Sequence, residues 1–112
     1  MENTSQARLL RIFIGESDTY DGRPLFQAIV ELMRKEGLAG ATVLRGIEGL
    51  GKSSRLHAAH ILRLSEDLPI VIECVDASEK IEAVLPALDG MIGDGLVTLE
   101  SVEVRVYRAG AS

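Results

Sequence analysis

The sequence predicts an α+β domain: a four-stranded antiparallel sheet with two helices on one face. Three observations predict it. Hydrophobic periodicity along the chain runs in the order strand, helix, strand, strand, helix, strand. Each helical segment has a single apolar stripe, which calls for packing on one side only. The 112 residues, 46 % of them hydrophobic, suffice for one core and not for several.

The elements follow in order. "RLLRIFI", Arg8 to Ile14, is a short apolar strand ending at Gly15. "GESDTYDGRP" is polar, holds Glu16, Asp18, Asp21 and Gly22, and reads as a loop. Pro24 opens a helix, where its missing N–H costs nothing. Leu25, Ile29, Leu32 and Met33 recur on one face of it, and Gly37 stops it. "ATVLRGIE" is a second strand. "PIVIECV", from Pro69, is a third, apolar from Ile70 to Val75 except at Glu73. Ser78 is the natural N-cap of a second helix, with Ile81, Val84, Leu85, Leu88 and Ile92 on one side and a kink expected at Pro86. "LVTLESVEVRVYR" alternates Val102, Val104 and Val106 against Glu103, Arg105 and Tyr107, a half-buried last strand. The domain is expected to span residues 8–108, with 1–7 and 109–112 as flexible tails.

Two right-handed β-α-β units interleaved in this order give the ferredoxin-like βαββαβ sandwich. Its sheet has one bare face, yet the third strand is apolar in both directions. Exposing Ile or Val there costs about 1.5–3 kcal/mol per side chain, so another copy of the chain is expected to cover that face. The connection from Gly49 to Leu68 is far longer than a hairpin requires, and long excursions of this kind are usually functional.

A formal net charge of −5 argues against a nucleic-acid surface, which needs clustered positive charge. No apolar run reaches the roughly 18 residues of a membrane span, so direct membrane insertion is not expected. The start, "MENTSQARLL", lacks a signal peptide's apolar region. Cys74 is the one cysteine, so no internal disulfide forms, and a cytoplasmic location is expected.

Two glycine clusters carry candidate chemistry. Gly46 to Ser53 spells G-x-x-x-x-G-K-S, the pattern of a phosphate-gripping P-loop. A true P-loop hydrolase needs a helix directly after Lys52-Ser53 and a metal-binding acid on a neighbouring parallel strand, for which this chain has no room. Two readings remain: glycines that only permit a turn, or backbone N–H groups and Lys52 forming part of an anion site completed elsewhere. In "GMIGDGL", Gly93 and Gly95 flank Asp94, which permits φ > 0 and N–H groups turned toward a ligand. A helix cap followed by a tight turn explains that spacing equally well. Glu48 either bonds a ribose or an amino group or is a solvated strand-end acid. Glu16 and Asp18 read first as loop and cap residues. His57 and His60, three apart, are weak metal candidates without a third ligand nearby, and solvated histidines are the simpler reading. Cys74 reads as a small core residue.

"VLRGIEGLGKSSRLH", "LPIVIECVD" and "GMIGDGLV" together resemble the PII signalling proteins. "IFIGESDTYDGRPLFQAIVELMRKEGLAGATVLRGIEGLG" resembles more specifically the divergent PII-like family filed as a domain of unknown function. The match runs from about Leu9 to Tyr107. The resemblance implies a homotrimer with sheets inward and helices outward, binding adenine nucleotides (ATP, ADP or AMP) in intersubunit clefts as sensed ligands, not substrates. It implies that Gly49, Gly51 and Lys52 form the base of the long T-loop; Gly46 and Glu48 beside them are further candidate nucleotide-binding residues. Gly93, Asp94 and Gly95 would form the B-loop around the phosphates, with Arg105 and Arg108 as the C-terminal basic residues. It further implies a loop that signals to a protein partner, a membrane transporter or an enzyme. Leu96 stands where PII proteins carry the B-loop lysine, and Lys52-Ser53 replaces their Arg-Gln. Residues 49–68 contain no tyrosine; nitrogen regulation in particular is not supported. The alternatives are a CutA-like trimer binding a divalent metal through His57 and His60 and, last, a small nucleotide hydrolase.

Overall fold

A computed structural model describes residues 6–49 and 67–108. The elements are β1 (Ala7–Gly15), β2 (Thr19–Tyr20), β3 (Arg23–Pro24), α1 (Leu25–Lys35), β4 (Thr42–Arg45), β5 (Pro69–Ala77), α2 (Ser78–Met91) and β6 (Leu96–Val102). The main sheet has the order β4-β5-β1-β6, with every neighbouring pair antiparallel. This is the expected ferredoxin-like topology: the two central strands, β1 and β5, are first and third among the four in chain order.

Burial alternates residue by residue from Leu9 to Gly15 of β1 and along the whole of β5, as a pleated strand with two unlike faces requires. Leu10, Ile12 and Ile14 of β1 and Ile70, Ile72 and Cys74 of β5 face the helices. They pack against Leu25, Ile29 and Met33 of α1 and Ile81, Val84 and Leu88 of α2. In register, Ile12 stands between Ile72 and Val97, and Leu10 between Cys74 and Leu99.

The helix ends show how local chemistry sets the boundaries. At the end of α1, Gly37 takes φ 76°. Its N–H donates to Arg34 O at 3.1 Å and that of Leu38 to Met33 O at 3.0 Å. This paired arrangement closes a helix on a left-handed residue. Helix α1 begins one residue later than expected: Pro24 is its N-cap and ends β3, and Leu25 is the first helical residue. Likewise Ala77, not Ser78, is the N-cap of α2. The Ser78 N–H donates to Gln6 O at 3.1 Å, and the Ala77 N–H to Asp76 Oδ1 at 2.6 Å. Helix α2 runs through Pro86 to Met91.

Two further differences have physical causes. The polar segment after Gly15 contains a small hairpin, β2 paired with β3 around Asp21 (φ 56°) and Gly22 (φ 78°). Two consecutive left-handed residues match the hairpin turns that Asp-Gly favours. The last strand stops at Val102, short of the expected Arg108. As an edge strand it pairs with β1 alone, and Val102 stands opposite Ala7, where β1 begins. Among the described residues, 103–108 join no strand.

Asp76, 1 % exposed, ties the layers together. Its Oδ2 accepts the Ala39 N–H at 2.8 Å while its Oδ1 accepts that of Ala77. Removing the carboxylate strands buried donors, so Asp76→Ala should cost about 1–3 kcal/mol in urea unfolding. Asp76→Asn, which keeps one acceptor, should lose less.

Candidate functional site

The sheet face opposite the helices is apolar with a charged centre. Leu9 and Phe13 of β1, Val71 and Val75 of β5, Leu44 of β4 and Leu96 of β6 share it by register. Among them sits Arg11. Its Nε donates to Glu73 Oε2 at 2.8 Å, and its Nη1 to Glu100 Oε1 at 3.4 Å. The hydrogen bond to Glu73 raises the already high Arg11 pKa further.

A cavity of about 430 Å³ opens on this face beside β4. Leu9, Ala39, Ala41 and Val75 make its apolar walls, Thr42 and Glu73 supply polar points, and Tyr107 reaches it from the chain beyond β6. Cys74 borders it on β5, although its side chain is in the core on the helix side. Burial first, and then the charge of Asp76, pushes the Cys74 thiol up to about 11. That favours the neutral, unreactive form, consistent with a core cysteine.

The first glycine bend follows β4. Gly46 N–H donates to Pro69 O at 2.7 Å. A Cβ on Gly46 or Gly49 would stand 2.7 or 2.9 Å from Pro69 Cγ, so both glycines admit the proline ring. Glu48 is exposed beside them. The returning end of the long connection is held by Asp67, which accepts the N–H and hydroxyl of Ser17 at 3.2 and 2.8 Å. Glu16 Oε2 pairs with Arg45 Nη2 at 2.6 Å, and Asp18 Oδ2 accepts the Gly15 N–H at 2.9 Å. Among the described residues, Glu16 Oε1 is buried without a hydrogen-bond partner. Gly51, Lys52, His57 and His60 lie outside the described residues, as do the P-loop and histidine-metal readings that depend on them. Among the described residues no group of three His, Cys, Asp or Glu is placed to hold a metal.

The second bend follows α2, whose last turn closes with Ile92 N–H on Leu88 O at 3.1 Å. Gly93 and Gly95 do not use the positive φ that their type permits; among the described glycines Gly22 and Gly37 do. Gly95 is required for closeness instead, since a Cβ there would lie 2.8 Å from Phe13 O. Gly93 and Asp94 are exposed.

Topology brings the two bends to the same end of the sheet, because β4 runs parallel to β1 and β6 antiparallel to it. It also sets them on opposite edges, three strand spacings or about 14 Å apart. Arg105 and Arg108 lie past the other end of β6, exposed on either side of Tyr107. One protomer therefore does not unite the predicted residues in a single site. Leu9, Thr42, Glu73 and Tyr107 were not singled out from sequence as binding residues. The one available signal was Glu73, which interrupts an otherwise apolar strand.

The split β-α-β topology and its four-stranded antiparallel sheet define a ferredoxin-like fold. The chain belongs to the DUF190 family (Uncharacterized ACR), which it matches over residues 7–104. It is 40 % identical over 97 residues to a UPF0166 protein of Aquifex aeolicus (strain VF5), covering 87 % of this chain and 91 % of the relative. It is 38 % identical over 100 residues to UPF0166 protein MJ1524 of Methanocaldococcus jannaschii, covering 88 % and 92 %. Among solved structures it superimposes on CPII from Thiomonas intermedia K12 bound to ADP and bicarbonate. The TM-score is 0.57 at 18 % identity, over 88 % of this chain and 87 % of that one. A second CPII structure, described as a nitrogen regulatory PII-like protein bound to ADP, AMP and bicarbonate, gives a TM-score of 0.57 at 16 % identity, with the same coverage. The fold expected from the sequence is thus the fold observed. No helix among the described residues is long and apolar enough to cross a membrane.

Gly95→Ala should destabilise the protein by about 1–3 kcal/mol in urea, because a backbone carbonyl cannot step aside. Gly93→Ala, with nothing within 4 Å of its Cβ, should stay within about 0.5 kcal/mol of the parent. The Cys74 thiol has its pKa raised on folding, from 9.0 to about 11. Its contribution to stability is complete below pH 9 and is lost as pH rises through about 11. Iodoacetamide should therefore label the folded protein slowly at pH 8 and the urea-unfolded chain rapidly.

Proposed function

We propose that the chain is a non-enzymatic PII-like regulator. It forms a homotrimer, binds an adenine nucleotide (ATP, ADP or AMP) in the clefts between subunits, and signals to a protein partner through residues 49–68. The observation that carries this reading is the position of the open-face cavity on the strand leading into the first glycine bend. Thr42 and Gly46 are four residues apart, about 13 Å along a strand. That is the scale of an extended nucleotide. A base seated between Leu9, Val75 and Tyr107 leaves its phosphates directed at the Gly46–Gly49 bend.

Charge and edge chemistry support the trimer. The described residues at that end include Glu16, Asp18, Glu48, Asp67 and Asp94 against Arg45, so a lone protomer disfavours phosphate there. Lys52, with Arg105 and Arg108 of a neighbouring copy, supplies the missing positive charge. The Gly93–Gly95 bend of a neighbour adds backbone donors. Exposed apolar side chains mark both edge strands, Val43 and Leu44 on β4 and Leu96, Val97 and Leu99 on β6. A head-to-tail contact between unlike edges closes into a ring when its rotation allows. The CPII proteins crystallised with ADP and AMP share this fold, which supports an adenine nucleotide as ligand. Sensing is favoured over turnover because Glu16 and Asp67 are engaged in holding the feet of the connection and Asp18 in closing the turn at Gly15. The nucleotide shifts the loop by as much as it prefers one loop state.

Calorimetry with ATP, ADP and AMP should give one nucleotide per subunit with sub-millimolar affinity; absence of binding to all three removes the reading. Tyr107→Ala should weaken binding by about 1–3 kcal/mol through lost stacking on the base. Light scattering at micromolar concentration should give a trimer. Sustained phosphate release that Lys52→Ala abolishes would overturn the non-enzymatic assignment.

A further inference from the structure

We infer that Glu73, held in place by Arg11, is the group by which the cavity selects a 6-amino purine over a 6-oxo purine. The inference rests on the nucleotide reading above and names a specificity determinant within it. Among the described residues lining the cavity, Glu73 is the one carboxylate, set among apolar walls that suit the flat faces of a base. Its Oε2 is taken by Arg11 Nε at 2.8 Å. Arg11, directly opposite Glu73 in the β1–β5 register, is braced from the far side by Glu100 at 3.4 Å.

Two consequences follow. A carboxylate paired with a guanidinium offers acceptors and no proton, so it favours a donor on the ligand. With Oε2 occupied, one oxygen, Oε1, remains. One acceptor suits a single N–H of an exocyclic amine better than a vicinal ribose diol, which calls for both oxygens. A 6-oxo group in the same place would set two acceptors against each other. Arg11 meets no ligand atom in this arrangement: it is a positioning residue that fixes which oxygen Glu73 presents.

The test is calorimetry on the full chain with ADP, with IDP, which carries a 6-oxo group and an N1–H where ADP has a 6-amino group and a bare N1, and with 2′-deoxy-ADP. The parent protein should prefer ADP over IDP by about ten- to hundredfold, the loss expected when a hydrogen bond to a charged group is forfeited. It should bind 2′-deoxy-ADP nearly as well as ADP. Glu73→Gln, whose amide can donate to a 6-oxo group, should level or reverse the ADP/IDP ratio while both nucleotides still bind. Arg11→Met should level it, and Arg11→Lys should restore part of it, which a purely structural role would not do. Should Arg11→Met fail to fold, the nearly isosteric Glu73→Gln carries the test alone. An ADP/IDP ratio unchanged in Glu73→Gln overturns the inference. So does a loss that falls on the ribose, seen as parent-protein discrimination against 2′-deoxy-ADP that Glu73→Gln removes. A parent protein that binds neither ADP nor IDP overturns instead the nucleotide reading on which it rests.

Discussion

Strand β1 is paired on both sides, with β5 along all nine of its residues and with β6 from Ala7 to Phe13, and its register constrains everything built around it. Its side chains alternate Leu10, Ile12 and Ile14 toward the helices and Leu9, Arg11 and Phe13 away from them. A slip of one residue would move Arg11 into the core and three apolar side chains out of it, and burying an unpaired guanidinium is prohibitive. The same register sets Arg11 opposite Glu73 and ends β6 opposite Ala7. The charged centre of the open face and the place where β6 ends thus share one origin.

The candidate site lies where regular hydrogen bonding runs out. Tyr107 reaches the open face from the stretch beyond the end of β6. The glycine bend after β4 exists because the chain must leave an edge strand beside Pro69. Antiparallel sheets tolerate one solvated face, but here that face carries Leu44, Val71, Val75, Phe13 and Leu96 around a single ionic cluster. An apolar surface with a fixed polar point is the composition expected of a surface that another copy or a flat ligand covers.

The layered architecture was legible because it rests on periodicity. The 3.6-residue stripes of α1 and α2 and the short apolar runs of β1 and β5 mark their elements in any context that buries them. Gly37 was legible as a stop because a left-handed residue ends a helix wherever it sits. The hairpin at Asp21-Gly22 escaped because two-residue strands have no period, although the Asp-Gly pair itself is a turn signal. The end of β6 was not legible, since Val102, Val104 and Val106 alternate whether or not a partner strand stands beside them. Glycine reads as permission without saying for what. Gly46, Gly49 and Gly95 serve close approach to Pro69 and to Phe13 O, and only coordinates separate that use from positive φ. The cavity was invisible for another reason: Leu9, Thr42, Glu73 and Tyr107 come from four distant parts of the chain.

The contacts that hold the feet of the long connection are weak in kind beside those that hold the sheet. Glu16–Arg45 is an ion pair whose arginine side chain is 59 % exposed, and such pairs contribute about 0–1 kcal/mol. Asp67 and Ser17 form partly buried hydrogen bonds, each worth about 0.5–1.5 kcal/mol net. Opposing them is the buried, unsatisfied Glu16 Oε1, which costs about 1–3 kcal/mol if it stays so. The balance at the feet is therefore small, whereas β1, β5 and the helices bury a dozen side chains together. A ligand needs about 5.5 kcal/mol of differential affinity to carry a two-state element from one extreme to the other. Less is needed when the resting contacts are this nearly balanced. Under the proposed function, a nucleotide bound between subunits would rearrange the base of the connection while the sheet keeps its register, the separation of scaffold from switch that a sensor would require.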